Sequence, residues 1–372
     1  MGLRAGDGVV EGGAENAKSF AERLTGYLRT MRVPAVLWEP WRGGPAVHCF
    51  LCAHHCRIEP GARGRCLVRE NREGTLETLV YGRAIAAAID PIEKKPLFHF
   101  FPGTLSFSLA AVGCNFACLF CQNSDISQMP RDRNAIEGVE LPPQHVVSRA
   151  LAGGCTSISY TYTEPTVFLE YAEACMERAV EAGLKNVFVT NGYMTRQALT
   201  RVDGLVHAAN VDLKGFTDGY YRRVIGARLG PVKRSIARMV EMGVWVEVTT
   251  LLIPGLNDDS GELRSLAAFL ASLSVDIPWH ISRYHPSYRL LDIPPTPVDT
   301  IERACAIGKE AGLNYVYAGN VPGHASESTF CPNCGREVIS RAGFAIRWSN
   351  LDGNRCGACG TRLPLIGVEV QP

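Results

Sequence analysis

The chain has 372 residues, 46% of them hydrophobic and 20% charged, with a formal net charge of +1. This is the composition of a globular protein long enough for a full α/β barrel with one or two small modules. The near-zero charge argues against nucleic acid or an anionic membrane as partner, and no apolar stretch approaches the roughly 20 residues that cross a bilayer. The opening Met-Gly-Leu-Arg-Ala-Gly-Asp lacks a secretory apolar core and the Ser or Thr of a myristoylation signal, so a cytoplasmic location is expected. In that compartment thiols stay reduced, and 14 cysteines point to metal ligation rather than disulfides.

In chain order, residues 1 to about 35 are Gly-rich and then amphipathic, with Phe20, Leu24, Leu28 and Met31 at helical spacing. Cys49, Cys52, Cys56 and Cys66 follow as C-x-x-C-x-x-x-C and a later fourth cysteine. They are expected to hold zinc or an auxiliary iron–sulfur cluster, with His54 and His55 inside the loop as alternative ligands. From about residue 104, apolar β-type runs alternate with amphipathic helices. Strands are expected at 105–112, 157–163, 186–190, 208–213, 244–253, 279–283 and 314–317. Helices are expected at 166–182, 232–242, 262–273 and 298–311. Three joins repeat one device: Gly183, Gly243 and Gly312 each follow a helix and precede a strand. Repeated helix–Gly–strand units predict parallel strands with crossover helices, hence α/β architecture and a partial or full (β/α) barrel.

Directly after the first of these strands stand Cys114, Cys118 and Cys121, as C-x-x-x-C-x-x-C. A [4Fe–4S] cube takes four ligands, so three local thiolates leave one iron open to a small chelating molecule. A zinc loop that borrows a fourth ligand is the alternative, but zinc sites usually present paired C-x-x-C arms. Such arms do occur at the other end of the chain. Cys331, Cys334, Cys356 and Cys359 form two C-x-x-C-G knuckles with 21 residues between them, a tetrahedral thiolate set for iron or zinc in a rubredoxin-like or zinc-ribbon module. Cys155, Cys175 and Cys305 are expected to be buried small hydrophobes. Three units result: an N-terminal extension with a four-Cys module over 1–102, the barrel over 103–325 and the C-terminal metal module over 326–372.

The three-cysteine loop, with Phe120 before its last cysteine, resembles the signature of radical S-adenosylmethionine (SAM) enzymes. That resemblance implies a [4Fe–4S] cluster that cleaves SAM reductively, giving a 5′-deoxyadenosyl radical that abstracts hydrogen. It further implies SAM contacts at Glu164 in the Ser159–Thr166 run, at Asn191 after the third strand, at the Asp212-Leu-Lys214 pair and at His285 in Arg283-Tyr-His-Pro286. The last two are similar to elements of glycyl-radical (pyruvate formate-lyase) activating enzymes. With the N-terminal cysteines, Asp90-Pro-Ile-Glu-Lys-Lys-Pro96 and Phe101-Pro-Gly-Thr104, nearly the whole chain resembles the AmmeMemoRadiSam-system radical SAM enzymes. The resemblance implies Memo-like and AMMECR-like neighbours.

The leading functional expectation is therefore a radical SAM enzyme acting on a small molecule or peptide, with flavodoxin or ferredoxin as electron donor. An activating enzyme for a partner protein is the first alternative, although no ferredoxin-like cysteine insert follows Cys121. A non-catalytic, metal-scaffolded binding protein is the second.

Overall fold

The computed structural model describes residues 33–368; the helix expected on Phe20, Leu24, Leu28 and Met31 lies outside them. The centre is an eight-stranded sheet: β1 (Ala86–Pro91), β2 (Leu105–Ala110), β3 (Ser157–Tyr160), β4 (Lys185–Thr190), β5 (Ala208–Asp212), β6 (Trp245–Leu252), β7 (Trp279–Arg283) and β8 (Val316–Gly319). Each strand pairs with the next in sequence. β2 to β8 run parallel, and β1 is antiparallel on the edge of β2. The two edges do not pair with each other, so the barrel is partial.

The crossovers run through α1 (Pro143–Ala152), α2 (Leu169–Glu181), α3 (Arg196–Arg201), α4 (Leu229–Glu241), α5 (Ser260–Leu273) and α6 (Val298–Glu310). The repeated glycines do what their spacing predicts. Gly183, Gly243 and Gly312 have φ of 78°, 76° and 91°, and each closes a Schellman motif. After α2, for example, Gly183 N–H donates to Val180 O and Leu184 N–H to Ala179 O. Cys155 holds the equivalent position of Leu184 after α1, donating to Ala150 O. That explains its burial as a small hydrophobe, and Cys175 and Cys305 are buried in helix faces.

Four differences from the sequence expectation bear on the site. β1 was not expected, because Ala-Ala-Ala-Ile-Asp-Pro lacks the β-branched alternation of a strand; it extends the sheet from within the 1–102 segment. β2 and β3 leave the ladder earlier than their apolar runs suggest. Past β3 the cause is local: Tyr162 takes φ 62°, the left-handed region that side chains avoid. The helix expected from 166 begins instead as a 3₁₀ turn, Pro165–Phe168, capped by the Glu164 carboxylate. Between β5 and α4 a π-helical turn, Tyr221–Ile225, ends on Gly226.

The N-terminal cysteine region folds as small antiparallel sheets whose Val47, Leu51 and Val68 share one core with Leu109, Val112 and the barrel. The C-terminal segment instead has its own core, in which Val338, Ile339, Leu363 and Leu365 pack around Cys331 and Cys356. It docks on the barrel through a buried polar chain. Pro364 C=O can only accept, so the His99 Nδ1–H donates to it (3.2 Å), and the neutral ring's Nε2 then accepts from Tyr317 OH (2.7 Å). Tyr317 in turn pairs with Thr329 Oγ1 (2.8 Å), which accepts from the Arg341 guanidinium (2.7 Å); Arg341 also donates to Phe98 O (2.8 Å).

This chain requires a neutral His99, and burial holds its pKa down to about 4, against the opposing pull of Glu247. An unfolded histidine binds a proton near pH 6.5, so stability from this contact is present above pH 6.5 and is lost as pH falls toward 4. The loss by pH 5 is about 2 kcal/mol. Hydrogen exchange of residues 337–342, corrected for intrinsic pH dependence, should show easier opening at pH 5 than at pH 7. His99→Gln should remove most of that difference.

Candidate active site

The loop after β2 is held by its backbone. Ala117 and Leu119 N–H donate to Ile225 O (3.0 Å) and Val224 O (3.1 Å), carbonyls that the π-helical turn presents to the loop. Leu119 O accepts from Arg289 N–H (2.9 Å), and Gly113 N–H reaches Ile126 O (3.2 Å). Cys121 Sγ lies 3.1 Å from Ser127 Oγ. Cys114 and Cys118 are largely withdrawn from water, and burial pushes Cys118 up to about 12 and Cys114 well above the ordinary thiol range. As free thiols these two stay protonated near neutrality; a metal is what would hold them as thiolates.

These cysteines face a cavity of about 450 Å³ at the C-terminal ends of the strands, which Phe120, Glu164, Asn191, Asp212 and Lys214 also line. The structure thus brings together all but one of the residues expected to meet SAM. His285 is the exception: it is exposed on the turn after β7 and is not part of the cavity wall. Its neighbour Tyr284 takes the inward position, with its N–H on Thr296 Oγ1 and its hydroxyl on Leu290 O, which turns the following residue outward.

Glu164 is buried, and two strands converge on its carboxylate. Oε1 accepts from Thr166 N–H (3.1 Å), Thr166 Oγ1 and Thr190 Oγ1 (2.7 Å); Oε2 accepts from Asn191 N–H (2.8 Å). Burial raises its pKa, and these four donors work the other way. Asn191 carries the connection on: its Nδ2 donates to Asn115 Oδ1 (2.8 Å) and approaches Cys114 Sγ (3.8 Å). Opposite, Lys214 Nζ pairs with Asp212 Oδ2 at 2.8 Å and lies 5.9 Å from the Phe120 ring centre. Burial works against the Lys214 ammonium, but the adjoining Asp212 carboxylate outweighs it and holds the pKa above the usual range.

The far wall of the cavity was not singled out as a site in the sequence. Asp90, on β1, accepts from Lys94 Nζ (2.7 Å), Lys95 Nζ (2.7 Å), Ser108 Oγ (2.7 Å) and Tyr162 OH. Lys94, Lys95 and Tyr162 line the cavity, and burial lowers Lys95 to about 8 despite Asp90. The alternation of Asp90, Glu93, Lys94 and Lys95 was the available signal, but it reads equally as a solvated helix start. Asn115 was hidden in the same way, as an unremarkable residue inside the cysteine loop. A second cavity of about 450 Å³, between Met194 and Arg234, does not reach the central cysteines.

At the C-terminus, Cys331, Cys334, Cys356 and Cys359 bring their sulfurs within 4.8 Å of one another. Gly335 and Gly360 (φ 71° and 74°) close the two knuckles alike, donating to Cys331 O and Cys356 O. The pairs Cys331–Cys359 and Cys334–Cys356 stand 3.6 and 3.8 Å apart. One tetrahedral ion with metal–sulfur bonds near 2.3 Å sets its sulfurs about 3.8 Å apart, so this set fits a single ion.

Residues 109–267 match the Radical SAM superfamily. Over 323 residues the chain is 46% identical to an uncharacterised protein of Methanocaldococcus jannaschii, covering 86% of this chain and 96% of that one. The chain belongs to the radical SAM superfamily. The mitochondrial GTP 3′,8-cyclase of Arabidopsis thaliana is 26% identical over 265 residues, 63% of this chain and 64% of that protein. Among solved structures, Streptococcus suis SuiB bound to S-adenosylmethionine aligns at TM-score 0.47 and 14% identity, over 63% of this chain and 54% of its own. A domain of pyruvate-formate lyase-activating enzyme from Bacteroides vulgatus aligns at 0.38 and 19%, over 44% and 99%.

Radical SAM membership implies a [4Fe–4S] cluster and SAM, and the donor set fits both. Three buried or half-buried thiols share one loop, and Glu164 Oε2 accepts one hydrogen bond where a carboxylate oxygen has room for two. If each C-terminal thiol supplies one of four ligands to a metal, Cys334→Ser should cost the protein close to one equivalent of iron or zinc. It should leave the absorbance of the central cluster in place, as elemental analysis and visible spectra of the anaerobic full chain will show.

Proposed function

We propose that this radical SAM enzyme reductively cleaves SAM and uses the resulting 5′-deoxyadenosyl radical to take hydrogen from a small molecule or peptide held in the same cavity. The observation that carries the reading is one cavity lined by the three cysteines, Glu164, Asn191, Asp212 and Lys214. Cys114, Cys118 and Cys121 would hold the [4Fe–4S] cluster, which when bound supplies the electron and an iron position for SAM. Glu164 would accept from the SAM ammonium with its spare lone pair, and the Asp212–Lys214 pair would place one charge of each sign beside the ligand. Phe120 packs beneath Lys214, an aromatic floor that excludes water. Asn191, fixed by Glu164 on one side and Asn115 on the other, would meet the ligand hydroxyls.

The four-cysteine sets at both ends, with the Asp90–Pro96 and Phe101–Thr104 runs, support the AmmeMemoRadiSam lineage. The proposed partners follow from it: Memo-like and AMMECR-like proteins, and a flavodoxin or ferredoxin as reductant.

Anaerobic reconstitution, reduction and addition of SAM should yield 5′-deoxyadenosine by chromatography. Any of Cys114→Ala, Cys118→Ala or Cys121→Ala should abolish the product together with the cluster's absorbance. Glu164→Ala and Asp212→Ala should keep the absorbance and weaken SAM binding, by about tenfold for each charge-assisted hydrogen bond lost. A fully clustered parent that makes no 5′-deoxyadenosine would overturn the proposal, and unchanged SAM affinity in both carboxylate variants would remove those residues from the site.

A further inference from the structure

Cys49, Cys52, Cys56 and Cys66 are not absorbed by this account, yet they are built as a site. Cys49 and Cys56 face each other across an antiparallel ladder. Sulfur-directed donors come from several places: Arg65 N–H to Cys56 Sγ (3.5 Å), Arg69 Nη1 to Cys49 Sγ (3.6 Å), and the backbone amides of His54 and Val68 toward Cys52 and Cys66. Two of the residues that shape these turns, His55 and Leu67, hold φ of 49° and 62°. Non-glycine residues enter the left-handed region at a cost of about 1 kcal/mol each. Successive amides turned this way form the concave nests that receive anionic sulfur at iron–sulfur sites.

The spacing of the thiols separates two chemistries. Among the described residues only the C-terminal four thiols gather within 4.8 Å, as a single ion requires. No three of the N-terminal thiols meet that spacing, nor do the central three, so neither set is drawn in around one small ion. The two sets also touch. His54 Nε2 bonds the carbonyl of Asn115, next to Cys114, at 2.8 Å. Gly113, at φ 104°, has no room for a side chain: a Cβ there would stand 2.7 Å from Val68 Cγ1 and 3.4 Å from Cys66 O. The Cys66 segment therefore lies against the residue that precedes Cys114.

We propose that Cys49, Cys52, Cys56 and Cys66 hold a second iron–sulfur cluster, seated directly against the loop of the central one. Arg69 is buried and paired with Glu170 while it donates to Cys49, and hydrogen bonds to cysteine sulfur are a main control of cluster potential. The site uses none of the central ligands, so its metal content stands whether or not the SAM reading holds.

The test uses the full chain, purified anaerobically, with Cys114, Cys118 and Cys121 all replaced by Ala. That variant should retain iron and acid-labile sulfide in a ratio of about one to one, beyond any single sulfide-free ion at the C-terminus. Replacing Cys49, Cys52, Cys56 and Cys66 as well should remove all of the sulfide. In the reduced parent, electron paramagnetic resonance should show broadening from coupling of two nearby clusters, which the Cys114/Cys118/Cys121 variant lacks. A soluble Cys114/Cys118/Cys121 variant without acid-labile sulfide, whether it carries zinc or no metal at the N-terminal site, would overturn the proposal. If the variant lacking all seven cysteines fails to fold, the sulfide of the first variant still decides.

Discussion

One buried carboxylate organises the cavity. Glu164 draws Thr166 and, from the end of β4, Thr190 and Asn191 onto two oxygens, and Asn191 reaches from there to Asn115 and Cys114. Two strand ends and the cysteine loop are thereby set in one register. A buried carboxylate persists only where hydrogen-bond donors face both its oxygens, and its removal would orphan several buried donors at a cost of about 1–3 kcal/mol each. The same group that caps the turn before α2 is thus linked, through Asn191, to the start of the cysteine loop. This double duty makes a purely structural or purely ligand-binding description of Glu164 incomplete.

Around that centre the three cysteine sets differ in how they are supported. The C-terminal set sits in a small core of its own, with sulfurs at single-ion spacing and glycine knuckles behind them. A segment of that size buries little apolar surface of its own, and a metal held by the four thiols would supply folding energy. The N-terminal set shares the barrel's core, so its fold does not lean on an ion in the same way. Its sulfurs are freer to serve a cofactor chosen for redox chemistry.

Much of this was legible in sequence because the signals were redundant. Helix–Gly–strand joins repeated three times specify parallel strands, and a C-x-x-x-C-x-x-C loop after the first of them specifies where chemistry collects. Asp212 and Lys214, two apart, had to share a face, and they form an ion pair. What could not be read were contacts between segments far apart in the chain. β1 has no strand-like pattern, and its Asp90 stands behind the cavity wall, where it accepts from Tyr162, 72 residues on. His285 shows the converse: a local motif placed it in the site, but the inward turn of Tyr284 left it exposed. The docking of the C-terminal segment on His99, Tyr317 and Arg341 joins residues separated by up to 265 positions, which no local pattern announces.

The central claim is that Cys114, Cys118 and Cys121 hold a cluster with one iron open to the cavity that Glu164, Asn191, Asp212 and Lys214 line. Electron paramagnetic resonance of the reduced protein before and after addition of SAM tests it most directly, best in a variant lacking Cys49, Cys52, Cys56 and Cys66 so that one cluster is observed. The account predicts that SAM shifts the g values of that cluster, because the ligand occupies its open iron. A reduced cluster whose spectrum is the same with and without saturating SAM would contradict it.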